Sequence, residues 1–149
     1  MPGVPTALET CGVAPWQAYE SLLPDVDLFL FDLKQMDSAR HREYTGVPNE
    51  RILENFARLV ARGAQVVARL PLIPGHNDDE ANVADTADFV WSVGGKVVSL
   101  LPYNAAAGAR YTWIGQTYSL EGLVPQSKAT LAHLAGVARS RSLEVRIGF

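Results

Sequence analysis

Short apolar runs alternate along this chain with longer amphipathic stretches, and that alternation admits few folds. Runs this short suit strands buried on both faces, while the amphipathic stretches between them suit helices laid against a sheet. The pattern predicts βα units feeding a parallel sheet, with strands over 5–10, 28–34, 65–70, 96–101 and 143–147. The clearest helix lies in PNERILENFARLVARG: Asn49 can cap it, Glu50 favours its N-terminal dipole and Gly63 can close it. Its predicted buried face is Ile52, Leu53, Phe56, Leu59 and Val60. A second helix follows PGHNDDE, with Asn77 or Asp78 as cap and Val83, Ala87, Val90 and Trp91 turned inward. A third, over 126–139, buries Leu131, Leu134 and Ala138, and a shorter one covers 15–23. No internal repeat, low-complexity tract or linker interrupts the chain, so residues 1–149 are expected to form a single domain. They are too few for a complete (β/α)8 barrel of roughly 250 residues.

The stretch FLFDLK, residues 29–34, then poses a question, because an apolar strand ends with an acid and a base two positions apart. Strand alternation puts Leu28, Leu30, Asp32 and Lys34 on one face and Phe29, Phe31 and Leu33 on the other. Buried ions are costly, and even a good pair often only offsets its own desolvation. In parallel βα sheets, ligands bind beyond the carboxyl ends of the strands, where such charges can stay wet or meet a ligand. Polar residues gather at those ends: Glu9 and Thr10, then Asp32 and Lys34, then Arg69, then Tyr103 and Asn104. One reading is an ion network that sets strand register. The other is a mouth for a zwitterion, with carboxylates for an ammonium group or ribose hydroxyls and Lys34 and Arg69 for a carboxylate.

Charge and cysteine usage narrow the chemistry further. Thirteen basic against 16 acidic residues give no broad positive field for nucleic acid or anionic lipid. No apolar run is long enough to cross a bilayer, and MPGVPTALETCG lacks the features of a secretory signal, so a cytoplasmic setting is expected. Cys11 is the sole cysteine, which rules out an internal disulfide or a thiolate cage built from these residues alone. After Thr10 it is expected to be a small buried residue and not a nucleophile. His41, His76 and His133 share no ligand spacing and are expected in surface or capping roles. Gly94-Gly95 reads as a turn, since neither GxGxxG nor GK[ST] is present.

The segments TALETCG, DLFLFDLKQMD, YTGVPNERILENF, VVARLPLIPGHND, SLLPYN and RYTWIGQTYSLEG together resemble, in order and spacing, the C-terminal half of the glycyl-radical-enzyme activating enzymes. These are radical S-adenosylmethionine (SAM) proteins related to pyruvate formate-lyase activating enzyme. The resemblance implies an α/β fold, a partial (β/α) TIM-type barrel of four or five parallel strands with flanking helices and without its N-terminal half. It implies an oxidoreductase in which a four-iron four-sulfur cluster cleaves SAM to a 5′-deoxyadenosyl radical. That radical removes a hydrogen atom from a glycine of a partner glycyl-radical enzyme. By resemblance, Thr10, Asp32, Lys34, Arg69 and Asn104 are SAM contacts, Asn104 standing where the family's LPYH motif has His. Glu9, Thr10 and Asp32 are implied to border a monovalent cation. The cluster-binding CxxxCxxC motif and the family's glycine-rich GGEP-like segment are absent from these residues.

A half barrel also leaves the strand around Thr10 with an open hydrogen-bonding edge, which predicts self-association, pairing with an N-terminal half chain, or marginal stability. Two other readings stand beside the activase. One is a split or degenerate subunit that docks a glycyl-radical enzyme without catalysis, using Tyr111, Trp113 and Tyr118. The other is an unrelated small enzyme on a complete flavodoxin-like sheet.

Overall fold

Right-handed crossovers between parallel strands decide where helices go: if strands are added in one direction only, every helix lands on the same face. A computed structural model, which describes residues 3–148, shows that arrangement. Strands β1 (Ala7–Thr10), β2 (Leu28–Asp32), β3 (Val66–Pro71), β4 (Val97–Leu101) and β5 (Glu144–Ile147) pair in parallel in the order β1-β2-β3-β4-β5. All five predicted strands are present, four of them a little shorter than expected and β3 shifted by one residue. The strictly sequential order differs from the flavodoxin-like order, in which strand direction reverses at a switch point.

Helices α1 (Trp16–Leu22), α2 (Ser38–Thr45), α3 (Glu50–Ala61), α4 (Glu80–Ser92), α5 (Ala109–Trp113) and α6 (Lys128–Arg139) join the strands. Four of them, α1, α3, α4 and α6, contribute Tyr19, Phe56, Val90 and Leu134 to one apolar cluster, against Phe29, Phe31, Leu33, Ala68, Leu70, Val98 and Leu100 of the strands. Those strand residues all share one face by register, Phe31 opposite Ala68 and Leu70 opposite Leu100. The other face carries Leu30, Asp32, Val67, Arg69 and Ser99 and has no helical cover from this cluster. Among the described residues, no helix is long and apolar enough to cross a membrane.

Local chemistry explains the element ends and corrects several expectations. Helix α4 is capped by Asp79, whose side chain accepts from the backbone N–H of Asn82 at 2.9 Å, and not by Asn77 or Asp78. Trp91 on that helix is 61% exposed, not buried, because the face turned inward is Val83, Ala87 and Val90. Asn49 stands at the N-cap position of α3 but makes no side-chain cap; its amide donates to the carbonyls of Gln35 and Met36 instead. Helix α2, capped by Asp37 and closed by Gly46 in the left-handed conformation, was not anticipated because its apolar periodicity is weak.

At the centre of the core, Phe31 meets Phe56 edge to face, with ring centroids 5.4 Å apart. Gly12, at the turn after β1, lies against the same ring: its φ is +78° and an added Cβ would sit 2.3 Å from Phe31. Phe56→Ala is therefore expected to lower the unfolding free energy by about 3–5 kcal/mol in urea denaturation, through lost burial and a residual cavity. Gly12→Ala should also destabilise, by backbone strain plus the clash. A Phe56→Ala loss under about 1 kcal/mol would contradict this packing.

Candidate functional site

Alternation continues past the end of β2, so Asp32 and Lys34 emerge on the same uncovered face, as expected, with Lys34 Nζ 3.3 Å from Asp32 Oδ2. From β3, Arg69 reaches back across β2. Its Nε lies 2.9 Å from Asp32 Oδ1, its Nη1 3.0 Å from Glu9 Oε1 and its Nη2 3.3 Å from Glu9 Oε2. One guanidinium thus holds carboxylates from two other strands, with the two-pronged geometry that suits Arg better than Lys. The side chains differ sharply in access to water: Arg69 is 7% exposed, Asp32 17%, Lys34 34% and Glu9 63%. Burial works against the Arg69 charge, but the hydrogen bond to Glu9 and the charge of Asp32 outweigh it and raise its pKa above the usual value.

This gradient sets what each contact is worth. The exposed Glu9 end contributes little, about 0–1 kcal/mol, in the manner of a surface ion pair. Removing Asp32 would leave a buried charge short of its partner, a loss of about 3–5 kcal/mol. A ligand carboxylate can therefore displace Glu9 from Arg69 at small cost while Asp32 stays, and Lys34 stands beside it as a second cation.

Thr10 lies elsewhere. Its neighbour Glu9 takes the uncovered face, so the Thr10 hydroxyl points into the helical layer, 2.9 Å from Tyr19 Oη, and accepts from Gly12 N at 3.0 Å. The Thr10 side chain is thus not in the ion cluster. The position between Glu9 and Asp32 is filled by the Arg69 guanidinium, so a cation there would have to displace it. Asn104, exposed beyond β4, caps the 3-10 turn Ala105–Gly108 by accepting from Ala106 N at 3.0 Å. Cys11 is exposed, not buried, because the turn through Gly12 swings it outward. His41 is buried instead of superficial, with Nδ1 2.6 Å from the Val47 carbonyl. His133 pairs with Glu80 at the surface.

Sequence reading missed the groups that hold the loop after β2 in place. Buried Asn77 donates to the carbonyls of Lys34 and Pro71, both at 2.7 Å, and accepts from Ile73 N. Buried Asn82 accepts from Met36 N and donates to the Asn77 carbonyl. These amides tie the ends of β2 and β3 together and aim Lys34. Asn77 stands in the PGHND motif and Asn82 just beyond it, but a single sequence reads such an Asn as a turn or a cap. Gln35, the next residue, is 4% exposed, and its Nε2 is the one buried side-chain nitrogen or oxygen among the described residues without a hydrogen-bond partner. An orphan of this kind costs about 1–3 kcal/mol.

The opposite wall comes from the segment after β4. Tyr103 Oη donates to the Leu120 carbonyl at 3.1 Å and lies 2.9 Å from Tyr118 Oη, which leaves Tyr118 as the donor within the pair. Ionising Tyr118 would break that bond, so its pKa is pushed from 10.0 up to about 12.

Parallel strands added in one direction and one-sided helices define a partial (β/α)-barrel type of protein, with a charged mouth at the carboxyl ends of its strands. No protein-family profile matches the chain. Among characterised proteins, the (2S)-3-sulfopropanediol dehydratase activating enzyme of Klebsiella oxytoca is 34% identical over 139 residues, 91% of this chain and 44% of that protein. The isethionate sulfite-lyase activating enzyme of Nitratidesulfovibrio vulgaris is 39% identical over 136 residues, 90% of this chain and 44% of that protein. A solved domain of pyruvate-formate lyase-activating enzyme from Bacteroides vulgatus superposes with a TM-score of 0.80 at 27% identity, covering 98% of this chain and 82% of that one. Over nine tenths or more of its length the chain is homologous to activating enzymes of glycyl-radical enzymes, and it spans about half the length of the curated relatives it matches.

The tyrosine pair yields a pH test. Because the folded-state pKa of Tyr118 is raised, the unfolded chain ionises first above about pH 10, and the stability held by the pair falls as pH climbs towards about 12. In an ultraviolet titration of tyrosinate, one tyrosine should lag, and Tyr103→Phe should bring it back towards its ordinary value. An identical curve in Tyr103→Phe would exclude the hydroxyl pair as the cause.

Proposed function

We propose that these residues, as a single domain, form the SAM-binding side of a radical SAM activase that acts on a glycine of a partner enzyme. The observation that carries the reading is the Arg69-centred cluster at the ends of β1, β2 and β3. The amino-acid end of SAM is a zwitterion, and the cluster offers it Lys34 and Arg69 for the carboxylate and Asp32 and Glu9 for the ammonium group or ribose hydroxyls. Glu9, the most exposed member, is the group that moves aside. Asn104 borders the same end, and Thr10 contributes through the turn that it holds. SAM, when bound and cleaved, supplies the carbon-centred radical chemistry that the relatives' family is known by.

The four-iron four-sulfur cluster does not fit these residues. Cys11 is the single cysteine of the chain, and among the described residues no group of three or more His, Cys, Asp or Glu could hold a metal. Thiolates for any cluster would come from outside these 149 residues. The same observation favours a second reading, in which the chain docks a glycyl-radical enzyme without catalysis of its own.

SAM titrated into the chain, supplied with the cluster-bearing N-terminal half of a relative, is expected to bind, and Asp32→Ala or Lys34→Ala should weaken it about tenfold, as for one charge-assisted contact. Unchanged affinity in both variants would overturn the cofactor site. Capture of a glycyl-radical enzyme without any SAM binding would favour the docking reading.

Strand β1 pairs with β2 alone, as β5 does with β4, so among the described residues its outer edge is unpaired. The isolated chain is therefore expected to self-associate or to pair with an N-terminal half chain through that edge. A monomer in sedimentation velocity, with cooperative unfolding and high stability, would contradict this expectation.

A further inference from the structure

Backbone pairing between β2 and β3 gives out one residue before Lys34. The ladder runs from Phe29 N on the Gln65 carbonyl, at 2.9 Å, to Leu33 N on the Arg69 carbonyl, at 2.8 Å. Parallel strands donate to each other by turns, so the next rung would need an N–H from residue 71. That residue is Pro71, which has no N–H to give. The two strand ends that carry the ion cluster therefore need another tie.

One side chain supplies it. Asn77 Nδ2 donates to the carbonyls of Lys34 and Pro71, both at 2.7 Å. These residues stand two places beyond Asp32 and Arg69, which are themselves partners in register. The orientation of the amide is fixed, because its Oδ1 accepts from Ile73 N at 2.7 Å and only a carbonyl oxygen can take that bond. Its backbone is held as well: Asn77 N donates to the Ile73 carbonyl at 3.3 Å, and the Asn77 carbonyl accepts from Asn82 Nδ2 at 3.0 Å. Arg40 Nη2 secures the preceding residue through the His76 carbonyl at 2.8 Å. Asn77 is thus buried with every polar atom engaged. A turn or cap asparagine bonds within its own loop, whereas one donor of Asn77 goes to a strand end 43 residues away.

We infer that Asn77 is a positioning residue for the ligand of the ion cluster, acting through Lys34 without touching the ligand. By replacing the rung that Pro71 cannot form, it fixes the spacing of the β2 and β3 ends and the point from which the Lys34 side chain starts. Lys34 then meets the ligand carboxylate at the distance set by Arg69 on the neighbouring strand. Asn82, whose Nδ2 lies 3.3 Å from the same Lys34 carbonyl, is the weaker second support. That the ligand is SAM rests on the function proposed above; the tie between the strands does not.

Lys34, Lys96 and Lys128 are the three lysines of the chain, which permits a direct reading. In the ligand-free chain labelled with ¹³C-lysine, Asn77→Ala is expected to shift the Lys34 ε-methylene signal and to leave those of Lys96 and Lys128 in place. SAM is then titrated into the chain, supplied with the N-terminal half of a relative, as wild type, Asn77→Ala, Lys34→Met and the double variant. Asn77→Ala is expected to weaken binding about tenfold beside Lys34 and less than about twofold in the Lys34→Met background, since a role exercised through Lys34 disappears with it. Equal weakening in both backgrounds would mark a merely structural role and overturn the inference, as would an unmoved Lys34 signal in folded Asn77→Ala. If Asn77→Ala does not fold, Asn82→Ala passes through the same cycle and is judged by the same two criteria. Absence of SAM binding in the wild type removes the cofactor reading of the cluster, while the lysine spectrum still decides the role of Asn77.

Discussion

The guanidinium of Arg69 is almost shut off from water yet carries a full charge, and the arrangement of the sheet's open face follows from how that charge is met. Its partners come from two other strands, Asp32 on β2 and Glu9 on β1, so one side chain spans three adjacent strands. The two contacts are unequal. Asp32 is enclosed and holds the charge in place; Glu9 stands largely in water and is easily replaced. An exposed carboxylate over a buried cation suits an exchangeable position, in which an incoming carboxylate takes over from Glu9.

Such a cluster can exist only because the two faces of the sheet are treated differently. Sequential strand order sends every crossover to one side, where Phe29, Phe31, Leu33, Leu70 and Leu100 meet the helices and polar groups such as Thr10 and Tyr19 bond to one another. Alternation then delivers Asp32, Lys34, Arg69 and Ser99 to the other side without further instruction. The loop beyond β2 needs more than alternation, because its backbone has left the ladder. Asn49, Asn77 and Asn82 supply the missing hydrogen bonds from helices and loops distant in sequence, and they hold Lys34 and Gln35 in place beside the cluster. Among the described residues, Gln35 Nε2 is the one buried side-chain nitrogen or oxygen left without a partner.

Much of this was legible before any coordinates. The alternation in FLFDLK assigned Asp32 and Lys34 to one face, and both are there. Arg69 and Glu9 were placed at neighbouring strand ends, and both join them. The failures have a common form. Thr10 sits one residue from Glu9 and so faces the opposite way. Trp91 is apolar and helical but lies just outside the arc that meets the sheet. Asn49 occupies a cap position while its side chain serves another loop. In each case residue type suggested a role, and a rotation or a distant partner decided otherwise.

By itself the sequence determined the βα alternation, the strand faces, the charged residues at the carboxyl ends and, through a single cysteine, that these residues cannot hold an iron–sulfur cluster on their own. Those properties depend on period and composition, which are local. Only the tertiary structure decided that Arg69 grips Glu9 as well as Asp32 and that three asparagines clamp the loop carrying Lys34. These depend on groups separated by tens of residues being brought within hydrogen-bond range, and no short-range pattern encodes a distance of that kind.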